Sequence, residues 1–134
     1  MAIKAIDHVN IRTGKLTESI AFYRDALGMD VRPLPGMDDM DRGAWVYAGD
    51  GRPVVHLNSA EDGADFLGEV RDWQGLSGSA RVHHVAFDCD DYDGFRARLT
   101  ESGFTLKFGE VAAINLRQIF VRDPNDILVE LNFR

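Results

Sequence analysis

Apolar and polar side chains alternate through residues 5–12 and again through residues 82–88, the period expected of strands with one face on a core. A helical pattern follows each run. Residues 16–27 set Leu16, Ile20, Tyr23 and Leu27 three or four positions apart and stop at Gly28; residues 92–102 do likewise with Phe95 and Leu99 and stop at Gly103. Glycine there suits the left-handed residue that commonly closes a helix. Three more strand patterns follow each helix, over residues 30–34, 44–48 and 53–58 in the first half and 105–110, 116–122 and 127–133 in the second. Turn residues separate several of them, at Pro35-Gly36, Gly49-Asp50-Gly51 and Asp123-Pro124-Asn125.

The two halves keep a common spacing. His8 and His84 are 76 positions apart, the glycines closing the two helices 75, and His56 and Glu130 74. An internal duplication accounts for these offsets. A module of one strand, one helix and three strands leaves a curved half-sheet with one bare face, so two copies are expected to enclose a core or cavity. The pattern predicts a single α+β domain of two tandem βαβββ modules, forming an incomplete mixed-sheet barrel around a metal site. Module one covers residues 1–58 and module two residues 82–134. The intervening residues 59–81 hold four glycines and a short amphipathic stretch at Phe66, Leu67 and Val70, and read as a connector or lid.

Composition excludes several classes. A chain of 134 residues, 45% hydrophobic and 28% charged, buries a core without disulfides or structural metal, so any metal is expected to serve function. A formal charge of -7 with scattered basic residues argues against a nucleic-acid partner. Neither a signal-peptide core nor a bilayer-spanning apolar run is present, which predicts a cytoplasmic protein with no membrane partner. The single cysteine lies in Asp88-Cys89-Asp90-Asp91, where negative charge disfavours the thiolate, and is read as structural.

Side chains two apart on a strand share a face, so His8 goes with Asn10 and Arg12, His56 with Asn58, and Glu130 with Asn132. His56 and Glu130 are flanked by apolar residues, and such groups are costly to bury unless hydrogen-bonded or bound to an ion. Singly, each histidine reads as well as a hydrogen-bonded core residue, and Glu130 as a solvent-facing carboxylate. The symmetric placement of all four favours one divalent ion held by His8, His56, His84 and Glu130. Three imidazoles and a carboxylate suit iron, zinc, manganese, nickel or cobalt. Asn10, Asn58 and Asn132, with Arg12 near the rim, become candidate substrate-binding residues. On the strand over 116–122 parity is open: either Arg117, Ile119 and Val121 or Leu116, Gln118 and Phe120 point inward.

The run Asp7-His8-Val9, the helix end Phe22-Tyr23-Arg24-Asp25-Ala26-Leu27-Gly28-Met29 and the closing Phe120-Val121-Arg122-Asp123-Pro124-Asn125-Asp126-Ile127-Leu128-Val129-Glu130-Leu131 resemble the vicinal oxygen chelate superfamily, over nearly the whole chain. That superfamily includes glyoxalase I, methylmalonyl-CoA epimerase, extradiol dioxygenases, fosfomycin resistance transferases and bleomycin-binding proteins. The resemblance implies metal ligands on the first and last strands of each module, again His8, His56, His84 and Glu130. Through the fosfomycin transferases it favours Gln118 and Phe120 as pocket residues. The chain departs from the family at its last turn, where aspartate-proline-aspartate-glycine is usual and Asp123-Pro124-Asn125-Asp126 stands here.

The implied activity is that of a metal-dependent enzyme acting on a small molecule that chelates the ion through two oxygens. Extradiol dioxygenases and fosfomycin transferases match His8, His84 and Glu130 only. Glyoxalase I and methylmalonyl-CoA epimerase also use the position of His56, which favours lyase, isomerase or epimerase chemistry through an enolate, with Glu130 as the expected catalytic base and metal-bound hydroxide as the competing one. An extradiol ring-cleaving dioxygenase acting on a catechol is the alternative, and a non-catalytic drug-binding resistance protein a second. A homodimer is expected, because two modules leave sheet edges and apolar faces for a symmetric partner to cover.

Overall fold

The computed structural model describes residues 1, 6, 8–60 and 84–134. Most of the expected connector, including its amphipathic stretch, lies outside the described residues, as do His83 and the starts of the two leading strands. The rest follows the expected order. The first module comprises β1 (Val9–Thr13), α1 (Leu16–Ala21) running on as a π-helical turn (Phe22–Ala26), β2 (Asp30–Pro33), β3 (Gly43–Tyr47) and β4 (Pro53–Ser59). The second comprises β5 (His84–Cys89), α2 (Tyr92–Glu101), β6 (Lys107–Val111), a short 3-10 turn (Ala112–Ile114), β7 (Leu116–Arg122) and β8 (Leu128–Phe133).

Each module forms one four-stranded sheet, in the orders β1-β4-β3-β2 and β5-β8-β7-β6. The leading and last strands of each module pair parallel, and the other neighbours pair antiparallel. The two βαβββ modules are therefore present, and their sheets stay open. The first helix ends on a wide turn, with Leu27 N–H bonded to Phe22 O at 3.0 Å, and the consecutive Phe22 and Tyr23 are both almost fully buried. Gly28 then takes φ +70, a backbone conformation that favours glycine. Strand β6 begins two residues later than expected, since Phe104 is drawn inward to pack edge-on against Phe22 at 5.2 Å.

One core joins the modules. Ile11, Ala44, Val46, Val55 and Leu57 of the first sheet lie in the same buried cluster as Ile119, Val121, Val129, Leu131 and Phe133 of the second, with Phe22, Tyr23 and Leu99 from the helices. Alternation along each strand then turns the opposite faces away from this core. Those outward faces carry Asn10, Trp45, His56 and Asn58 in the first sheet, and His84, Gln118, Phe120, Glu130 and Asn132 in the second.

Polar contacts tie the modules together at one end. Asn125, in the turn between β7 and β8, bonds Thr13 Oγ1 and donates from Nδ2 to Ser19 Oγ at 2.9 Å. Asp123 is buried; its Oδ1 accepts from the backbone N–H of Asn125 and Ile127 at 2.8 and 2.9 Å, and its Oδ2 accepts from Tyr23 OH at 3.4 Å. The turn that departs from the family pattern keeps the conformation a glycine would adopt: Asp126 has φ +65, which aspartate tolerates better than most side chains. Among the described residues, no helix is long and apolar enough to cross a membrane.

Candidate metal centre

In the first sheet, register sets Asn10, His56, Trp45 and Arg32 side by side across four strands. The His56 imidazole stacks on the Trp45 indole, with centroids 4.4 Å apart and planes within 16°. His8 meets the same indole edge-on at 4.9 Å and lies 6.4 Å from His56, centroid to centroid. Asn10 Nδ2 sits 3.1 Å from His56 Nδ1. That contact is met by an amide N–H donating to a bare Nδ1, or by the rotated amide accepting from Nδ1–H, which leaves the Nε2 lone pair for a ligand. His56 Nε2 is buried with no hydrogen-bond partner. Burial, and then the neighbouring His8, hold the His56 pKa below its ordinary value, so the ring stays neutral as a metal ligand must be.

Two residues along β4, both amide atoms of Asn58 are likewise buried without a partner. Arg12 is its register neighbour on β1 and is exposed.

In the second sheet, His84 Nε2 lies 3.3 Å from Glu130 Oε2. Gln118 Nε2 donates to the other carboxylate oxygen, Oε1, at 2.7 Å and also to Asn132 Oδ1 at 3.1 Å. Register settles the open parity of β7: Gln118 and Phe120 pair with Asn132 and Glu130 on the outward face, whereas Ile119 and Val121 are in the core. Gly109, across from Gln118, leaves the room in which that amide and the Phe120 ring lie; a Cβ there would meet Gln118 Oε1 at 2.7 Å and Phe120 Cε2 at 3.1 Å.

The four expected ligands thus fall into two pairs, His8 with His56 and His84 with Glu130. Among the described residues no three His, Cys, Asp or Glu side chains come close enough to hold an ion. Each pair fits as half of a site. Donors about 2.1 Å from a shared ion and at right angles about it lie about 3 Å apart, which is near the His84–Glu130 separation. The unpartnered His56 Nε2 is the orphan a metal would satisfy. Asn10 and Gln118 stand behind these donors, where hydrogen bonds orient ligands. Trp45 escaped the sequence reading, although the duplication offset points to it: it lies 75 positions before Phe120.

The profile of the Glyoxalase/Bleomycin resistance protein/Dioxygenase superfamily matches residues 5–131. The chain belongs to that superfamily. Among solved structures it is similar to a lactoylglutathione lyase from Agrobacterium tumefaciens, with TM-score 0.68 and 21% identity over 99% of this chain and 96% of that one. The fosfomycin resistance protein FosX from Mesorhizobium loti gives TM-score 0.65 and 16% identity over 99% and 94%. An integron cassette protein from the mobile metagenome of V. cholerae gives TM-score 0.69 and 18% identity over 99% and 97%. No curated protein sequence matches the chain. At these identities the likeness establishes the fold alone.

Proposed function

We propose that the protein is a divalent-metal-dependent enzyme of lyase or isomerase type, acting on a small molecule that chelates the ion through two neighbouring oxygens. We place its metal centre between two copies of the chain, with His8 and His56 from one and His84 and Glu130 from the other. The observation that carries this reading is the convergence of His84 Nε2 and Glu130 Oε2 to 3.3 Å, with Gln118 holding the second carboxylate oxygen. The shared core favours two copies, since His56 and Glu130 lie on the faces of their sheets that are turned away from it.

A bound ion would supply Lewis-acid stabilisation of an enolate formed next to the chelating oxygens. The chain supplies the rest. Three imidazoles would hold the ion without cancelling its charge, and Glu130, the one carboxylate of the set, serves as general base. Gln118 keeps Oε1 engaged and so fixes the orientation of the carboxylate. Asn10 steadies the His56 ring, and Asn58, Asn132 and Arg12 line the same faces as contacts for substrate oxygens.

Mixing two broken variants tests the shared centre. His8→Ala damages only the first half-site and Glu130→Ala only the second, so a mixed dimer regains one intact site if the halves come from different chains. Random reassortment makes half the dimers mixed, so metal content should return to about a quarter of the wild-type value. Each variant alone should hold none. No recovery after verified subunit exchange refutes the shared centre, and no metal in the wild type refutes the metal-dependent reading itself.

A further inference from the structure

The duplication singles out one polar side chain that lacks the partner its counterpart has. In the second module the Asn132 amide oxygen accepts from Gln118 Nε2 at 3.1 Å, and the Gln118 side chain lies over Gly109 on the neighbouring strand. In the first module Asn58 stands where Asn132 does, two residues beyond the expected ligand of the last strand. Its register partner on β3 is Gly43, which lies 75 positions before Gln118, and Leu34 lies 75 before Gly109. Glycine and long side chain have thus changed places: a Cβ at Gly43 would meet Leu34 Cδ1 at 3.2 Å and Asn58 Oδ1 at 3.5 Å. An apolar side chain lies where the other module has an amide. Asn58 is 5% exposed, and neither its Nδ2 nor its Oδ1 has a hydrogen-bond partner.

A buried amide left unpaired costs stability, and so points to a partner from outside the chain. Asn58 shares its face with His56, about 7 Å along β4, beside the first half-site. Its amide sets a donor beside an acceptor, and only a group with an acceptor beside a donor answers both. A carboxylate or ketone leaves Oδ1 unpaired, and an ammonium leaves Nδ2 unpaired. We propose that Asn58 determines specificity, selecting substrates in which a chelating carbonyl oxygen belongs to a carboxamide-like edge, with an N–H next to it. The carbonyl accepts from Nδ2, the N–H donates to Oδ1, and Leu34 is the apolar side chain that yields as the edge enters. An α-hydroxy carboxamide has this edge, chelates through its carbonyl and hydroxyl oxygens, and keeps a C–H beside the carbonyl for an enolate to form. This rests on the metal centre proposed above and goes beyond it in naming what borders the chelating oxygens.

Hydroxyurea and acetohydroxamic acid test it, because both offer a metal the same carbonyl and N-hydroxyl oxygens and differ only in an amino group in place of a methyl group. Affinities of both for the zinc-loaded protein are measured by calorimetry, alongside zinc content, in wild type, Asn58→Leu and Asn58→Ala. Comparing proteins cancels the intrinsic difference between the compounds. Measured relative to acetohydroxamic acid, hydroxyurea should bind wild type about tenfold better than either variant, the effect expected when the amino group satisfies an Oδ1 that the methyl group leaves bare. Metal-free Asn58→Leu should also melt several degrees higher, since an apolar side chain of similar size replaces an unpaired buried amide. A merely structural amide would weaken both compounds alike. A relative affinity that stays within about twofold of wild type in both variants, or a lower melting temperature in Asn58→Leu, overturns the specificity role while leaving the metal centre standing. Failure of wild type to hold zinc overturns both.

Discussion

Replacing Gln118 by leucine separates a residue that merely fills the sheet from one that orients the carboxylate. Its amide makes two bonds, to Glu130 Oε1 at 2.7 Å and to Asn132 Oδ1 at 3.1 Å, and leucine of similar size makes neither. A hydrogen bond to a charged group contributes about 1.5–3 kcal/mol, and the Glu130 side chain is 13% exposed, so little water replaces the lost donor. The metal-free variant should therefore lose about 2 kcal/mol of stability, several degrees in Tm for a chain of this length. Metal affinity should fall by about tenfold to a hundredfold, the usual effect of removing a hydrogen bond that orients a ligand. Competition against a chromophoric zinc chelator measures the affinity, and differential scanning calorimetry the stability. Arg117→Ala is the control: that guanidinium lies on the other face of β7, over the Tyr92 ring at 4.1 Å, and its loss should leave zinc affinity unchanged. A Gln118→Leu protein that melts lower yet binds zinc within twofold of wild type would refute the orienting role.

Tyr23 is buried, and burial first and then Asp123 push its pKa well above the ordinary 10.0. The folded protein keeps that proton while the unfolded chain loses it, so stability should fall by up to about 1.4 kcal/mol per pH unit above about pH 10, a slope that Tyr23→Phe abolishes in alkaline denaturant titrations. Asp126→Gly should raise stability by about 0.5–1 kcal/mol, since φ +65 strains any side chain and the exposed Arg122 ion pair at 3.5 Å contributes little; an unchanged or lower denaturation midpoint contradicts this. Burial pushes the Cys89 thiol up to about 11, so its alkylation by iodoacetamide at pH 8 should be far slower than after unfolding.

Most of the element order was legible because hydrophobic period and glycine stops carry it. The strand over 116–122 was bounded to the residue. Which face of it looks inward was not, since Leu116, Ile119, Phe120 and Val121 put apolar residues on both sides and alternation alone cannot choose. Pairing with β8 makes the choice. The equivalence of His8 with His84 and of His56 with Glu130 was legible through the duplication, whereas their arrangement as two separate pairs was not. A burial pattern records that one face of each sheet meets a core, and it is the same whether the modules of one chain meet through their helix-covered faces or their polar ones. Trp45 was passed over for a related reason: an aromatic residue inside Ala44-Trp45-Val46 reads as core until its neighbours are seen to be buried and it is not.

The polar contacts between the modules bear on how a shared centre would be built. Asn125 and Asp123 lie in the turn that leads directly into β8, the strand carrying Glu130, and they bond Thr13 at the end of β1, the strand carrying Asn10, together with Ser19 and Tyr23 of the first helix. Buried hydrogen-bonded groups of this kind tolerate displacement poorly, because each one left unpaired costs about 1–3 kcal/mol. They therefore set the angle between the two half-sites of one chain. In a symmetric dimer with two shared centres, each chain contributes opposite halves to both, so that single angle decides whether the two centres close together. Asn125→Ala removes the contacts to Thr13 and Ser19 without touching any of the four proposed ligands. In the variant dimer it should loosen metal binding at both centres alike, seen as weaker zinc affinity at unchanged stoichiometry.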